Sequence, residues 1–83
     1  MVRRMKSVTV YSTPTCPYCH QLKEYLKENN VSFEDKDVAT DAAARDEMVQ
    51  KSGQLGVPVS DIDGEIVVGF DREKVSELLG LNA

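Results

Sequence analysis

Residues 7–26 constrain this chain more than any other stretch of it. Ser7-Val8-Thr9-Val10-Tyr11 is β-branched and aromatic, and it predicts a first strand. Residues 12–15 are rich in hydroxyls, contain Pro14 and predict a turn. A helix should then start at Pro17, because proline is favoured at a first helical position, where its missing N–H would be unpaired anyway. Cys19, Leu22 and Leu26 follow at spacings of three and four, with Tyr25 beside them, and make one apolar helix face. Asn29-Asn30 is a left-handed stop. A strand that breaks into a helix this early must return to a sheet.

The rest of the chain supplies that sheet. Residues 31–38 predict a second strand, with Val31, Phe33 and Val38 as its apolar members. Thr40 or Asp41 can cap a second helix running to about Ser52, with Gly53 past its end and Ala44, Met48 and Val49 buried. Gly56-Val57-Pro58-Val59 opens a third strand that ends near Ile62. Asp63-Gly64, flanked by Ile62 and by Ile66-Val67-Val68, is a strong hairpin signal and makes strands three and four antiparallel. Asp71 can cap a last helix that buries Val75, Leu78 and Leu79 and stops at Gly80. The order β-α-β-α-β-β-α begins with a parallel pair joined by a right-handed crossover. It predicts an α/β fold with a four-stranded mixed sheet and helices on both faces.

Eighty-three residues suit a single domain, 1–83. A chain of this size buries only about 60% of its unfolded surface, and the 41% apolar fraction supplies one small core. No apolar run approaches the ~18 residues of a membrane span. Ten Lys and Arg against fourteen Asp and Glu leave a charge of -4, which disfavours phosphate backbones and hence nucleic acid. Arg3, Arg4 and Lys6 resemble the start of a signal peptide, but the apolar stretch after them is too short. The expected location is the cytoplasm, and the expected state is a monomer.

Two cysteines are too few for a secreted disulfide scaffold. A bond between Cys16 and Cys19 would close almost no loop and contribute little stability. Their chemistry matters more. With Cys16 as N-cap, its sulfur faces the free N–H groups of the first helical turn and the positive end of the helix dipole, and both favour a thiolate. Cys19 sits one turn in, where it can attack a mixed disulfide on Cys16. The competing readings are poorer. Zinc normally needs four ligands, and His20 is the only other soft or imidazole donor. Cys16-x-x-Cys19-His20 also spells a c-type haem attachment, but that implies export and a helical haem clasp. His20 reads more simply as a partly exposed helix residue.

Tyr11-Ser12-Thr13-Pro14-Thr15-Cys16-Pro17-Tyr18-Cys19 resembles the active-site segment of the glutaredoxins, whose dithiol members carry Cys-Pro-Tyr-Cys. Gly56-Val57-Pro58 is similar to the family's Thr-Val-Pro, and Val68-Gly69-Phe70-Asp71 to its approach to the last helix. The resemblance implies a thioredoxin fold, a cis bond before Pro58 and thiol–disulfide exchange. It makes Cys16 and Cys19 the catalytic pair and Pro17, Tyr18, Val57 and Pro58 their supports. Glutathione or a thioredoxin-reductase-type protein is then the electron donor, disulfide-containing proteins are the partners, and no organic cofactor is required.

Departures from the family pattern bear on the electron donor. Thr13 stands where dithiol glutaredoxins often carry Lys or Arg, and Gly69-Phe70-Asp71 where many carry Gly-Gly. Gln54 matches a family glutathione contact, and Asp71 offers a helix N-terminus to a carboxylate. Phe70 after Gly69 resembles the NrdH-redoxins, which implies electrons from thioredoxin reductase and delivery to ribonucleotide reductase. The alternative class is an iron–sulfur or zinc module held by the cysteines at a dimer interface. Pro17 weighs against it, since cluster-binding relatives mostly carry glycine there. Ser60 and Asp61 replace the usual apolar residues of the third strand, and Asp61 is expected to be solvated at the hairpin end.

Overall fold

A computed structural model describes residues 7–81. The elements are β1 (Val8–Ser12), α1 (Pro17–Glu28), β2 (Glu34–Asp37), α2 (Ala42–Ser52), β3 (Val59–Ile62), β4 (Glu65–Val68) and α3 (Arg72–Leu79). They form one four-stranded sheet in the order β2-β1-β3-β4. β1 and β2 are parallel, and β3 runs antiparallel to both β1 and β4. The expected element order and mixed sheet are both present. Asp63, at φ 54°, and Gly64, at φ 96°, form the β3–β4 turn in the left-handed region that such a tight hairpin requires.

Period-two alternation along β1 and β3 divides the core between the two sheet faces. Val8, Val10, Leu22, Leu26, Ile62, Val67 and Val75 pack on the face covered by α1 and α3. Tyr11, Val38, Ala44, Met48 and Val59 pack on the face covered by α2. Val49, Leu78 and Leu79 are half-buried rather than buried, while Ser76 is buried in α3 beside Val75. Short helices over a small sheet leave their flanking apolar residues at the margin.

The second strand differs most from expectation. It contains only Glu34-Asp35-Lys36-Asp37. Val31 and Phe33 pack against the α1 side before it begins, and Val38 is buried after it ends. A wholly polar strand is stable here because β2 is an edge with charged partners on each face. Asp35 reaches Lys23 of α1 at 2.9 Å and accepts from Ser12 at 2.7 Å. Lys36 points the other way and reaches Glu47 of α2 at 2.8 Å.

Asp61 also departs from expectation. It is not a solvated hairpin residue. Its Oδ2 pairs with Lys51 at 2.6 Å, and its Oδ1 accepts from the Gly64 N–H at 2.9 Å. Lys51 in turn lies 3.3 Å from the Tyr11 hydroxyl, which donates to Glu47 at 2.5 Å. A polar seam Lys36–Glu47–Tyr11–Lys51–Asp61 thus stitches α2 to three strands.

Candidate active site

Cys16 is the N-cap of α1, with extended backbone at φ -93° and ψ 111°. The Cys19 N–H donates to its Sγ at 3.1 Å, so the sulfur occupies the place a serine or aspartate oxygen usually takes at a helix start. Pro17 begins the helix, and the residues ahead of it form the turn that the sequence predicts, with Ser12 the last residue of β1. Both cysteines are free thiols, Cys16 partly exposed and Cys19 fully buried. Tyr18 between them projects into solvent, 63% exposed.

The environment separates the two sulfurs. Burial pushes the Cys19 thiol up to about 11, with the contact to Cys16 adding to the rise. The Thr13 backbone N–H and the charge of Lys23 act against it. Burial pushes the Asp35 carboxyl up as well, but Lys23 and the Ser12 hydroxyl outweigh that and hold it below its ordinary value. Lys23, Asp35 and Ser12 therefore make a charged cluster on the α1 side, next to the buried thiol. Sequence reasoning missed this cluster. Its one visible signal is a lysine four positions after Cys19, on the helix face that carries Leu22 and Leu26.

Pro58 is buried, follows a cis peptide bond at Val57, and accepts from the Gly69 N–H at 2.8 Å. That bond ties the start of β3 to the approach to α3. Val57 itself packs toward the α2 core. His20 Nε2 donates to the Pro14 carbonyl at 3.0 Å, so an exposed ring ties the first turns of α1 to the loop ahead of Cys16.

The other residues singled out in the sequence have local partners. Gln54 folds back on its own loop: its amide donates to the Gly56 carbonyl at 3.0 Å and accepts from the Gly56 N–H at 2.9 Å. A side chain at Gly56 would meet that amide oxygen at 2.7 Å, so the Gln54 side chain would have to swing away to admit one. Asp71 caps α3 by accepting from the Lys74 N–H at 3.1 Å, so a carboxylate already occupies that helix start. Phe70 turns toward Tyr25, with ring centroids 6.0 Å apart. Thr13 meets the site through its backbone. Among the described residues, no group of three His, Cys, Asp or Glu side chains is placed to hold a metal ion.

The chain resembles known proteins over most of its length. Residues 8–67 match the family model described as Glutaredoxin. It is 50% identical over 72 residues to an uncharacterized glutaredoxin-like 8.6 kDa protein in the rubredoxin operon of Clostridium pasteurianum, covering 87% of this chain and 96% of that protein. It is 40% identical over 67 residues to glutaredoxin 3 of Escherichia coli strain K12, covering 81% of each. Among solved structures, the glutaredoxin from Archaeoglobus fulgidus superposes with a TM-score of 0.81 at 30% identity, covering 89% of this chain and 86% of that one. The thioredoxin-like protein BC3987 superposes with a TM-score of 0.84 at 45% identity, covering 88% of this chain and all of that one. The chain belongs to the glutaredoxin family of thiol–disulfide oxidoreductases.

Proposed function

We propose that the protein reduces protein disulfides by a two-step dithiol exchange in which Cys16 attacks and Cys19 resolves. The observation that carries this reading is the asymmetry of the pair: Cys16 Sγ is partly exposed and accepts from the Cys19 N–H at 3.1 Å, whereas Cys19 is buried with its thiol pushed up to about 11. The Cys16 thiolate displaces one sulfur of the substrate disulfide, which leaves as a thiolate and takes up a proton. Cys19 then gives up its proton and attacks the Cys16 sulfur. The second substrate thiolate is released, and the chain is left with a Cys16–Cys19 disulfide. Two electrons have passed to the substrate.

The resolving step is timed by the same geometry. Two of the causes that raise the Cys19 thiol are its hydrogen bond with Cys16 and the charge of Cys16. Burial, the largest cause, stays in place, while both of these fall away once Cys16 is tied up in a mixed disulfide. The opposing influences, the Thr13 N–H and Lys23, remain.

The reading of the electron donor is supported by the residues at the expected glutathione contacts. Thr13 carries no charge, the Gln54 amide is committed to Gly56, and the Asp71 carboxylate already caps α3. These features support a protein reductase of the thioredoxin-reductase type over glutathione, with a ribonucleotide-reductase-type protein disulfide as acceptor. In a turnover assay, Cys16→Ser should abolish disulfide reduction. Cys19→Ser should accumulate a mixed disulfide on Cys16, visible by mass spectrometry. An adduct on Cys19 of the native chain would reverse the roles. Faster turnover with glutathione than with a thioredoxin reductase would reverse the donor.

A further inference from the structure

An open groove of about 600 Å³ runs along the outer side of α1. That volume lies in the range of roughly 300–1,000 Å³ that bound ligands fill. Its wall on α1 is His20, Glu24, Tyr25 and Glu28, and Phe70 and Arg72 close it from the start of α3. One end of it lies beside the active-site turn, where the lining residue His20 donates its backbone N–H to the Cys16 carbonyl at 3.2 Å and its ring reaches the Pro14 carbonyl at 3.0 Å. Its floor is aromatic, with Tyr25 and Phe70 in tilted contact.

The charges along the groove are unbalanced. Glu24 and Glu28 stand one helical turn apart, an arrangement in which like charges repel. Lys27 approaches Glu24 only at 4.0 Å, with both side chains mostly in solvent. Arg72, the one arginine of the lining, lies over the Tyr25 ring at 5.5 Å from its centre, so its charge faces the aromatic ring and leaves two carboxylates against one cation. Two carboxylates above an aromatic floor match a side chain with a cationic head and an apolar stem, and arginine fits both.

Resting on the disulfide-reductase reading, we infer that this groove seats the polypeptide that flanks a substrate protein's disulfide and selects a basic residue in it. Distance along the helix sets where that residue falls. From Cys16 to Glu24 is about 12 Å of helix and to Glu28 about 18 Å, at ~1.5 Å per residue. An extended peptide advances about 3.3 Å per residue. The basic side chain therefore lies about four to six positions from the reactive cysteine of the substrate.

The test uses the full chain and peptides whose single cysteine carries a thionitrobenzoate mixed disulfide. The peptides are identical except for Arg or Glu five positions from the cysteine, on its N-terminal side in one pair and its C-terminal side in the other. In one pair the Arg peptide should show a KM about fivefold below the Glu peptide, the size that two exposed charge contacts produce. Glu24→Gln with Glu28→Gln should erase that difference and leave reduction of bis(2-hydroxyethyl) disulfide unchanged. Equal KM values within both pairs, or a difference that survives in the double variant, would overturn the groove while small-disulfide turnover stays intact. A native chain unable to reduce the small disulfide would overturn the functional reading and the groove with it.

Discussion

The interior of the sheet face under α1 and α3 is mostly hydrocarbon, with seven buried aliphatic side chains contributed by three strands and both helices, and its charges, Lys23 and Asp35, lie at the β2 edge. The face under α2 buries fewer apolar residues and adds the seam of Lys36, Glu47, Tyr11, Lys51 and Asp61. The difference follows from what each helix carries. α1 carries Leu22 and Leu26 fully buried, and its one ion pair to the sheet among the described residues, Lys23 with Asp35, meets the polar edge strand β2. α2 buries only Ala44 and Met48, and hydrogen-bonded charge supplies the rest of its attachment.

The largest expected effect tests the hydrocarbon face. Leu26 is fully buried two turns beyond Cys19. Leu26→Ala should lower stability by about 2–5 kcal/mol, from lost transfer energy and the cavity left behind. Urea unfolding at pH 7 and at pH 3 should give the same loss. A loss that changes with pH, or one smaller than that of a seam variant, would erase the distinction between the faces.

Ser60 is a buried polar residue on that face with no partner among the described residues, and it gives an effect of opposite sign. Strand pairing sets it opposite Val10 and Val67, on the α1 side. Its hydroxyl is buried and has no hydrogen-bond partner among the described residues. Ser60→Ala removes a polar group that has lost its hydration, and should raise stability by about 1 kcal/mol. A lower urea midpoint in the variant would mean that the hydroxyl is satisfied and that this face is less dry than it looks.

Local signals were legible in the sequence. Pro17 marked the start of α1, Cys16 its cap, Asp63-Gly64 the hairpin, and Gly53 and Gly80 the ends of α2 and α3. Each is a short-range rule, in which the residue and its structural consequence lie within a few positions. What stayed hidden needed partners distant in sequence. Val31, Phe33 and Val38 marked a strand over 31–38, but the paired residues are the polar Glu34-Asp35-Lys36-Asp37 between them. That narrower, polar strand pairs with β1 while Lys23 and Glu47 meet it from opposite faces, and neither partner is near it in sequence. Asp61 looked solvated because nothing in the spacing says that Lys51, ten residues earlier, ends its helix above β3. The cysteines were legible for the first reason, and Lys23 and the α1 groove were not for the second.

The smallest effect sharpens the comparison most, because it depends on charge alone. Glu47 Oε1 accepts from both Lys36 and Tyr11. The Lys36 contact first, and the Tyr11 hydroxyl second, hold its carboxyl down at about 2, against an ordinary 4.5. A carboxyl depressed by folding stabilises the native state above the unfolded value, and that stability is lost as pH falls from about 4.5 through about 2. The side chain is 39% exposed, so solvent screening reduces the contribution to about 0.2–1 kcal/mol. Glu47→Gln keeps an acceptor for the Tyr11 hydroxyl and removes only the charge. Urea midpoints of the native chain and the variant should differ at pH 7 and converge by pH 2, while the Leu26→Ala gap stays constant over the same range. A Glu47→Gln gap that persists unchanged at pH 2 would mean that the seam holds α2 by shape rather than by charge. The two faces would then be stabilised by the same physics.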